Sequence, residues 1–397
     1  MLKSPEPVVL GEDLRRELQG SDGVLPHEIR TQALDRFFSV RSGRERPGRY
    51  WRIDLESIVP EATPFAAGGS VRIDNPHARV TACDLATAAR AHPQLLARAF
   101  GATRASATKF GALAMAFAEL GAFVYVPADA MADDPILITY TLAAGASTFP
   151  YTVVLAERGA GATIVERIEG GGSGAFVCGA TEIVTLEGAD VTYASCQQLN
   201  AGSRIFQTRA AKPGRDARVT WACAELGSDL AVCDLSVAIE CPGAEASVTT
   251  LFFPSGSQHV DVVSTIDHVV GDSRSQTMVK SAAVDHGQAR YLGNIRIAPG
   301  AQGSDASLRD DALLLSANAN IDSVPALEIG ANDVKAFHGA TVGALDAEQI
   351  FYMETRGIER NAAERMIALG FFEPAIARFP NGTLRDRIRA ALAAKLP

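Results

Sequence analysis

The feature of this sequence that most limits its fold is a long series of short β-type segments between residues 122 and 297. Each is rich in Val, Ile and Thr, and many alternate apolar with polar residues. Between them a glycine followed by small or polar residues recurs at intervals of roughly 10–15 residues, as in Gly159–Thr163 and Pro242–Val248. The pattern predicts strands over 136–141, 152–156, 162–168, 180–186, 190–199, 217–226, 231–240, 246–253, 259–270, 275–284 and 289–297.

Two kinds of architecture accommodate such a pattern. Short strands at regular intervals build a β-sandwich or barrel, or they stack as a parallel β-helix, a solenoid in which each strand pairs with its equivalent one coil on. Periodicity alone does not distinguish the two. The solenoid is favoured because Asn-Gly and Asp-Gly hairpin turns are almost absent, and because a region of over 200 residues is long for one sandwich.

The segments on either side of the β region are typical of helices. In the N-terminal part Asp84 is a candidate N-cap, and Pro93 is a candidate break within the helix that follows it. The apolar periodicity predicts helices over 27–38, 84–100 and 106–121, and a short strand over 51–55.

The C-terminal part predicts three helices. The first begins at the N-cap Asp346, with Gln349 completing a capping box, and ends at Gly357. The second ends near Gly370, and the third is capped by Thr383. The third helix carries an apolar stripe at i, i+4 spacing that consists of Leu384, Ile388, Leu392 and Leu396.

Charge and hydropathy exclude several classes of protein. A free-standing nucleic-acid binder usually carries a basic excess, whereas this chain has a net charge of −9. No apolar run approaches the ~20 residues that span a bilayer, and the N-terminal segment lacks the apolar core of a signal peptide. We therefore expect a cytoplasmic protein that binds neither nucleic acid nor membrane.

The sequence contains no recognisable nucleotide or thiol site. The glycine-dense run Glu169–Gly174 lacks the Lys-Ser/Thr pair and the strand-to-helix context of a phosphate loop, so we expect no ATP site. No two of the six cysteines are separated by the two-residue gap of a zinc knuckle or redox motif. Most fall within apolar strand-like runs, where we interpret them as core residues.

Histidines are the main candidates for metal chemistry. His338 lies in a glycine-punctuated turn, and imidazole is a good iron ligand near neutral pH. A second concentration of imidazole and carboxylate groups, which could bind a divalent metal, comprises His259, Asp261, His268 and Asp272. The alternative for His338 is a hydrogen-bonded turn residue, and for the second group polar residues on the outer wall of a β-helix.

Residues His338–Gly343 read His-Gly-Ala-Thr-Val-Gly, and Asp346, Phe351-Tyr352 and Arg356–Ile358 follow them. This ordered run resembles the signature of the SufB/SufD family of iron–sulfur cluster assembly scaffolds. Within this family the chain resembles the SufD branch, because it carries Gly339 after the histidine where SufB-like members tend to carry Glu. One departure is Ala336, which stands where family members often have cysteine.

The resemblance implies a fold. It predicts a mainly β protein with a right-handed parallel β-helix core and α-helical domains at both ends. The resemblance covers residues 122–372, and residues 1–121 by general layout only. The expected domains are a mostly helical N-terminal domain over 1–121, a β-helix core over 122–335 and a C-terminal helical domain over 336–397.

The resemblance also implies a non-catalytic role. A SufD-like scaffold would pair with a SufB-like subunit through the end of its β-helix and dock a SufC-like ABC ATPase on its C-terminal helices. His338 would bind iron or a transient iron–sulfur cluster at the subunit interface. The expected ATPase-binding residues are Phe351, Tyr352, Arg356, Arg365, Phe371 and Phe372. The alternative is that these aromatic residues pack the helices together.

Two other functions remain open from the sequence. The chain could act as a homo-oligomeric scaffold, for example as a homodimer when alone, although Ala336 argues against this. A carbohydrate-active β-helix enzyme would need a cleft lined by aromatic residues. After residue 190 the β region offers only two tyrosines for such a cleft, Tyr193 and Tyr291.

Overall fold

The computed structural model describes residues 10–20, 23–40, 53 and 68–396. The strand predicted over 51–55 lies, apart from Ile53, outside these residues. No helix in the described part of the chain is long and apolar enough to cross a membrane. The α-helices are α1 (Leu10–Gly20), α2 (His27–Ser39), α3 (Leu85–Ala91), α4 (Pro93–Ala99), α5 (Lys109–Ala116), α6 (Ala347–Thr355), α7 (Arg360–Ile376) and α8 (Gly382–Lys395).

The strands begin before the predicted β region and continue beyond it. They are β1 (Gly69–Asp74), β2 (Thr81–Asp84), β3 (Leu120–Val126), β4 (Met131–Leu142), β5 (Ser147–Thr148), β6 (Pro150–Ala156), β7 (Gly161–Gly170), β8 (Phe176–Thr185), β9 (Asp190–Leu199), β10 (Arg204–Lys212), β11 (Arg218–Glu225), β12 (Leu230–Ile239), β13 (Glu245–Phe252), β14 (His259–His268), β15 (Arg274–Ala283), β16 (Gln288–Ile297), β17 (Asp305–Leu314), β18 (Asn320–Ile329) and β19 (Lys335–Ala344).

Successive strands alternate between two sheets. Sheet I has the order β1-β4-β7-β9-β11-β13-β15-β17-β19, and sheet II has the order β18-β16-β14-β12-β10-β8-β6-β3-β2. Strand β1 pairs antiparallel with β4, and β2 pairs antiparallel with β3. All other pairings are parallel and join equivalent strands of successive coils. The prediction of a mainly β parallel solenoid flanked by helices is confirmed, with about eight turns.

The recurring glycine breaks of the sequence form a stack of turns along one side of the solenoid. Seven residues, one in each coil, have positive φ, and each donates its backbone N–H to a carbonyl of the next coil. Glycine and aspartate tolerate this left-handed conformation better than other residues. The seven are Asp129, Gly159, Gly188, Asp216, Gly243, Asp272 and Gly303. The repeat therefore sets the coil length and keeps the strands in register.

Helices cover the outer faces of both sheets. On sheet II, Phe110 of α5 stacks on Phe206 of β10 with ring centroids 3.8 Å apart. On sheet I, Phe372 of α7 lies 5.9 Å from Phe253, and the predicted apolar stripe of α8 joins the same cluster. With the solenoid interior also apolar, most strands are buried on both faces, which explains their nearly continuous apolar sequences.

Several boundaries differ from the sequence predictions. The chain from Leu120 forms β3, so the helix predicted over 106–121 ends early, at Ala116. Helix α7 continues through Gly370 to Ile376, because the packing of Phe372 and Ile376 on sheet I outweighs the cost of one glycine in a helix, about 1 kcal/mol. Asn381, and not Thr383, caps α8. The caps at Asp84 and Asp346 are confirmed, although Asp346 accepts from the N–H of Glu348 and not within a capping box.

Three strands of the solenoid lack a recognisable sequence pattern. In β10 the polar residues Gln207 and Arg209 interrupt the apolar face, and β17 carries three aspartates. Strand β18 contains Pro325, which cannot donate to a sheet. This proline is tolerated because β18 is an edge strand.

A buried ion pair joins the two sheets inside the solenoid. Arg209 of β10 and Glu225 of β11 are fully buried, and the Nη1 of the arginine lies 2.7 Å from the Oε1 of the glutamate. The same Nη1 lies 2.7 Å from the Sγ of Cys233. Removing one partner of such a pair leaves an uncompensated charge in an apolar interior.

We expect Glu225→Ala to lower the free energy of unfolding by about 3–5 kcal/mol, because Arg209 would remain buried without its counter-charge. Urea denaturation monitored by circular dichroism measures the change. Glu187→Ala, at an exposed turn position, is the control and should change stability by less than about 0.5 kcal/mol. Equal stability of the two variants would show that the pair is not a determinant of the fold.

Candidate functional site

The C-terminal end of the solenoid leaves two strand edges without a partner. Strands β18 and β19 are the last members of sheets II and I, and no strand of the described residues pairs with their outer edges. Large apolar side chains are exposed at this open end, namely Ile329, Phe337 and Val342, with Phe337 60% exposed. Unpaired edges with exposed apolar side chains are templates for pairing with another chain.

His338 lies on strand β19 at this open end. The prediction of a turn is wrong: residues 335–344 form a regular strand, with His338 opposite Leu308 of β17. The side chain is exposed and makes no hydrogen bond or ion pair within the described residues, so its ring nitrogens are available to a ligand. Ala336, on the same face of the strand, offers no ligand atom.

His338 by itself cannot complete a metal site. The rest of β19 contains no Cys, Asp or Glu, and nowhere in the described part of the chain do three or more His, Cys, Asp or Glu residues form a group that could hold a metal ion. Iron bound at His338 would therefore need ligands beyond those that the described residues offer.

The other two candidate histidines do not meet. His259 and His268 are the first and last residues of β14, about 30 Å apart at 3.3 Å per residue. His268 is buried, and its Nδ1 and Nε2 lie 2.7 and 2.8 Å from the Oγ atoms of Ser273 and Ser275. Its ring nitrogens are thus occupied, and the structure gives no support to a shared metal site. The outer-wall interpretation is wrong for His268 and also for Asp261, which is fully buried against Arg290.

The cysteines are poor candidates for thiolate chemistry. Four of the six are buried and two are half-buried. Burial raises the pKa of Cys196 to about 12, and it also raises the pKa of Cys223 and Cys233. A neutral thiol is a weak nucleophile and a weak ligand, which agrees with the interpretation of these residues as core.

The interior of the solenoid is more polar than the sequence pattern predicts. Glu166 accepts hydrogen bonds from Thr152 and Tyr193 at 3.0 and 2.7 Å, and burial raises the pKa of its carboxyl group. Its Oε1, like the Nε and Nη2 of Arg209, lacks a hydrogen-bond partner among the described residues. Period-two alternation within β10 could have indicated that Arg209 shares a face with buried Ile205.

The predicted ATPase-binding residues divide into two groups. Phe351 and Tyr352 of α6 are 67% and 59% exposed. Arg356 lies 5.1 Å from the ring centroid of Tyr352, within reach of a cation–π contact. We call these three residues the α6 patch. Exposed aromatic residues beside an arginine are typical anchors of a protein interface.

The other three residues have structural contacts. Arg365 donates from its guanidinium to the backbone carbonyls of Leu396 and Ala393 at 2.7 and 3.1 Å. Phe372 is buried in the helix–sheet cluster. Phe371 is half-buried, with the Nζ of Lys280 4.4 Å from its ring centroid. These residues hold α7 in place.

The two tyrosines considered for the aromatic cleft of a carbohydrate-active enzyme do not lie at the surface. Tyr193 and Tyr291 are fully buried. Tyr193 donates a hydrogen bond to Glu166, and Tyr291 lies 2.6 Å from the Oγ of Ser264. Neither ring can line a surface cleft.

The burial of His268 makes folding sensitive to pH. Desolvation lowers the pKa of its imidazole from 6.5 to about 4, while Asp305 acts weakly in the opposite direction. Between these two values the unfolded chain binds more protons, so stability is fully present above pH 6.5 and declines as the pH falls. We expect a loss of about 3 kcal/mol between pH 7 and pH 4 from this group.

Urea denaturation at several pH values measures that slope. His268→Gln should be less stable at pH 7 but should lose less stability on acidification than the unmodified protein. The exposed His286 provides the control, and His286→Gln should retain the original slope. An unchanged slope in His268→Gln would contradict a neutral, buried imidazole.

Comparison with known proteins gives the family. The model of the SUF system iron–sulfur cluster assembly family, SufBD core domain, matches residues 139–371, more than half of the chain. The iron–sulfur cluster assembly protein SufD of Bacillus subtilis is 26% identical over 319 residues, which cover 79% of this chain and 73% of that protein.

Two further relatives are iron–sulfur cluster assembly SufBD family proteins. That of Staphylococcus saprophyticus is 26% identical over 75% of this chain and 65% of its own length. That of Mycobacterium leprae is 27% identical over 65% of this chain and 30% of its own length. The chain thus spans less than two thirds of these two relatives. With a SufBD core that includes the open end and His338, this chain belongs to the SufB/SufD family of iron–sulfur cluster assembly scaffolds and is SufD-like.

Proposed function

We propose that this chain is the SufD-like scaffold subunit of a cytoplasmic SUF assembly complex. It pairs with a SufB-like subunit through the open end of the solenoid and docks a SufC-like ABC ATPase through the α6 patch. Iron or a nascent iron–sulfur cluster is the substrate handled at the interface of the two scaffolds, where His338 contributes one ligand.

The observation that carries this proposal is the exposed His338 on an unpaired strand edge. A single imidazole without acidic or thiol neighbours on its strand holds iron weakly by itself. A partner strand added to β19 would bring a second set of side chains close to His338, since paired strands lie about 5 Å apart. The ligand site would thus exist only in the scaffold complex.

The arrangement of the C-terminal helices would allow ATP hydrolysis in the partner to move part of this chain. The α6 patch is exposed, whereas α7 packs on sheet I through Phe372 and Phe253. Asp346 caps α6 two residues after the end of β19. A displacement of α6 by the ATPase would therefore pull on the strand that carries His338.

We expect His338→Ala to assemble normally with a SufB-like scaffold and an ATPase, but to lower the rate of cluster formation by about tenfold or more, because one ligand is lost. Anaerobic reconstitution with iron and sulfide, followed by absorbance spectroscopy, measures that rate. The control His286→Ala changes an exposed histidine that lies in a turn, and it should leave the rate of cluster formation unaltered. Unimpaired cluster formation in His338→Ala would remove the ligand role.

Loss of the α6 patch should weaken ATPase docking. We expect Phe351→Ser and Tyr352→Ser each to raise the Kd for a SufC-like ATPase by about tenfold, because aromatic anchors contribute roughly 1–2 kcal/mol or more to binding. Isothermal titration calorimetry measures the Kd. Met131→Ser removes a similarly exposed apolar side chain from β4 and should have no effect. Equal affinity in all three variants would place the docking site elsewhere.

A further inference from the structure

A row of alternating charges crosses sheet I from coil to coil. The residues occupy the same register position at the start of successive strands, so each faces the next directly. The row reads Asp190, Arg218, Glu245, Arg274, Asp305 and Lys335, and its sign alternates without exception. Cross-strand pairs of opposite charge stabilise a sheet, whereas like charges destabilise it.

The ion-pair distances along this row agree with its strand register. Arg218 lies 3.4 Å from Asp190 and 2.9 Å from Glu245. Arg274 lies 3.3 Å from Glu245 and 3.9 Å from Asp305. Each arginine thus bridges two acidic residues. The last member, Lys335, stands on the unpaired edge of β19 and makes no ion pair within the described part of the chain.

A second row of the same kind ends at the edge of sheet II. Asp267 of β14, Arg296 of β16 and Glu328 of β18 are in direct register. The guanidinium of Arg296 lies 3.7 Å from Asp267 and 3.4 Å from Glu328. Glu328 is 64% exposed and stands on the open edge. The open end therefore displays a cation at the end of one sheet and an anion at the end of the other.

We propose that these two ends of the charge rows select the scaffold partner and its register. The strand that adds to β19 carries a carboxylate opposite Lys335, and the strand that adds to β18 carries a lysine or arginine opposite Glu328. This inference rests on the proposed function, since it takes the open end as the scaffold interface.

The partner with this chemistry is a different chain. When two copies join like edge to like edge, β19 meets a strand with no Asp or Glu, and β18 meets a strand with no Lys or Arg. Such a dimer leaves both ends of the charge rows unmatched. A second copy could match them only if β18 of one copy paired with β19 of the other.

Exposed charge pairs of this kind act on register and partner choice more than on total affinity. A shift of the partner strand by one residue would move its carboxylate to the opposite face of the sheet. It would also move every other side chain beside His338. The charge rows would thereby determine which partner side chains come close to the histidine.

The test is the affinity of the full-length protein for a SufB-like scaffold of the same organism, measured by biolayer interferometry at 50 mM and 500 mM NaCl. The variants are Lys335→Glu, Glu328→Lys and their combination. Arg158→Glu and Glu187→Lys make the same changes of charge at exposed turn positions away from the open end. Thermal unfolding of each variant verifies that it is folded.

We expect each reversal at the open end to weaken binding about three- to tenfold at low salt, with a much smaller effect at high salt. The double variant should be weaker still, and a partner variant with lysine in place of the facing acidic residue should regain binding to Lys335→Glu. Binding of Lys335→Glu and Glu328→Lys equal to that of the two controls would overturn the charge-row inference and leave the proposed scaffold pairing intact.

Two other outcomes are separable. No association of the unmodified protein with the SufB-like scaffold would overturn the proposed function and this inference with it. Sedimentation of the protein alone tests the second-copy arrangement. Self-association that Lys335→Glu abolishes and the double variant restores would show crossed pairing of two copies, and it would overturn the assignment of the interface to a different chain.

Discussion

The structure depends above all on the hydrogen-bonded stacking of one coil on the next. Each coil repeats the same strand positions and the same left-handed turn, so residues at equivalent positions form continuous rows along the solenoid. Apolar rows fill the interior, apolar rows on the outer faces receive the helices, and charged rows follow the edges. Asp216 and Gly243 illustrate the principle: they differ chemically, but both tolerate positive φ and both continue the same backbone row.

A solenoid of this kind does not close on itself. Its two outer faces are covered by helices, and at the N-terminal side β1 pairs antiparallel with β4 and β2 with β3. Among the described residues the stacking stops at β18 and β19, whose outer edges pair with no further strand. His338, the exposed apolar side chains and the two ends of the charge rows all lie where the intramolecular pairing stops. This open end is therefore the place where we propose that the partner and the substrate bind.

The interior shows a different use of polar groups. Arg209 and Glu225 compensate each other's charge, and burial keeps the neighbouring thiols protonated. These groups are enclosed in the core and contact each other there. The contrast with the exposed His338 separates the part of the molecule that holds the fold together from the part available for chemistry.

Local sequence was sufficient for features that depend on a few neighbouring residues. The helix over 27–38, the cap at Asp84, the left-handed turn at Gly357 and the alternation within most strands are of this kind. The resemblance of the segment around His338 to the SufB/SufD family could also be recognised from the sequence, because its motif is a short, ordered run. Strand β10 was not predicted, because a buried arginine interrupts its apolar face. The end of α7 was predicted too early, because tertiary packing outweighs the low helix propensity of Gly370.

The sequence by itself determined the β-rich repeat, its turn residues and the family. Only the tertiary structure decided that Phe351 is exposed while Phe372 is buried, that His268 is enclosed by serines, and that Asp190 and Lys335 belong to one row of charges. The physical reason is that turn conformation depends on adjacent residues, whereas burial and cross-strand pairing depend on residues that are far apart in the chain and meet only when the coils stack.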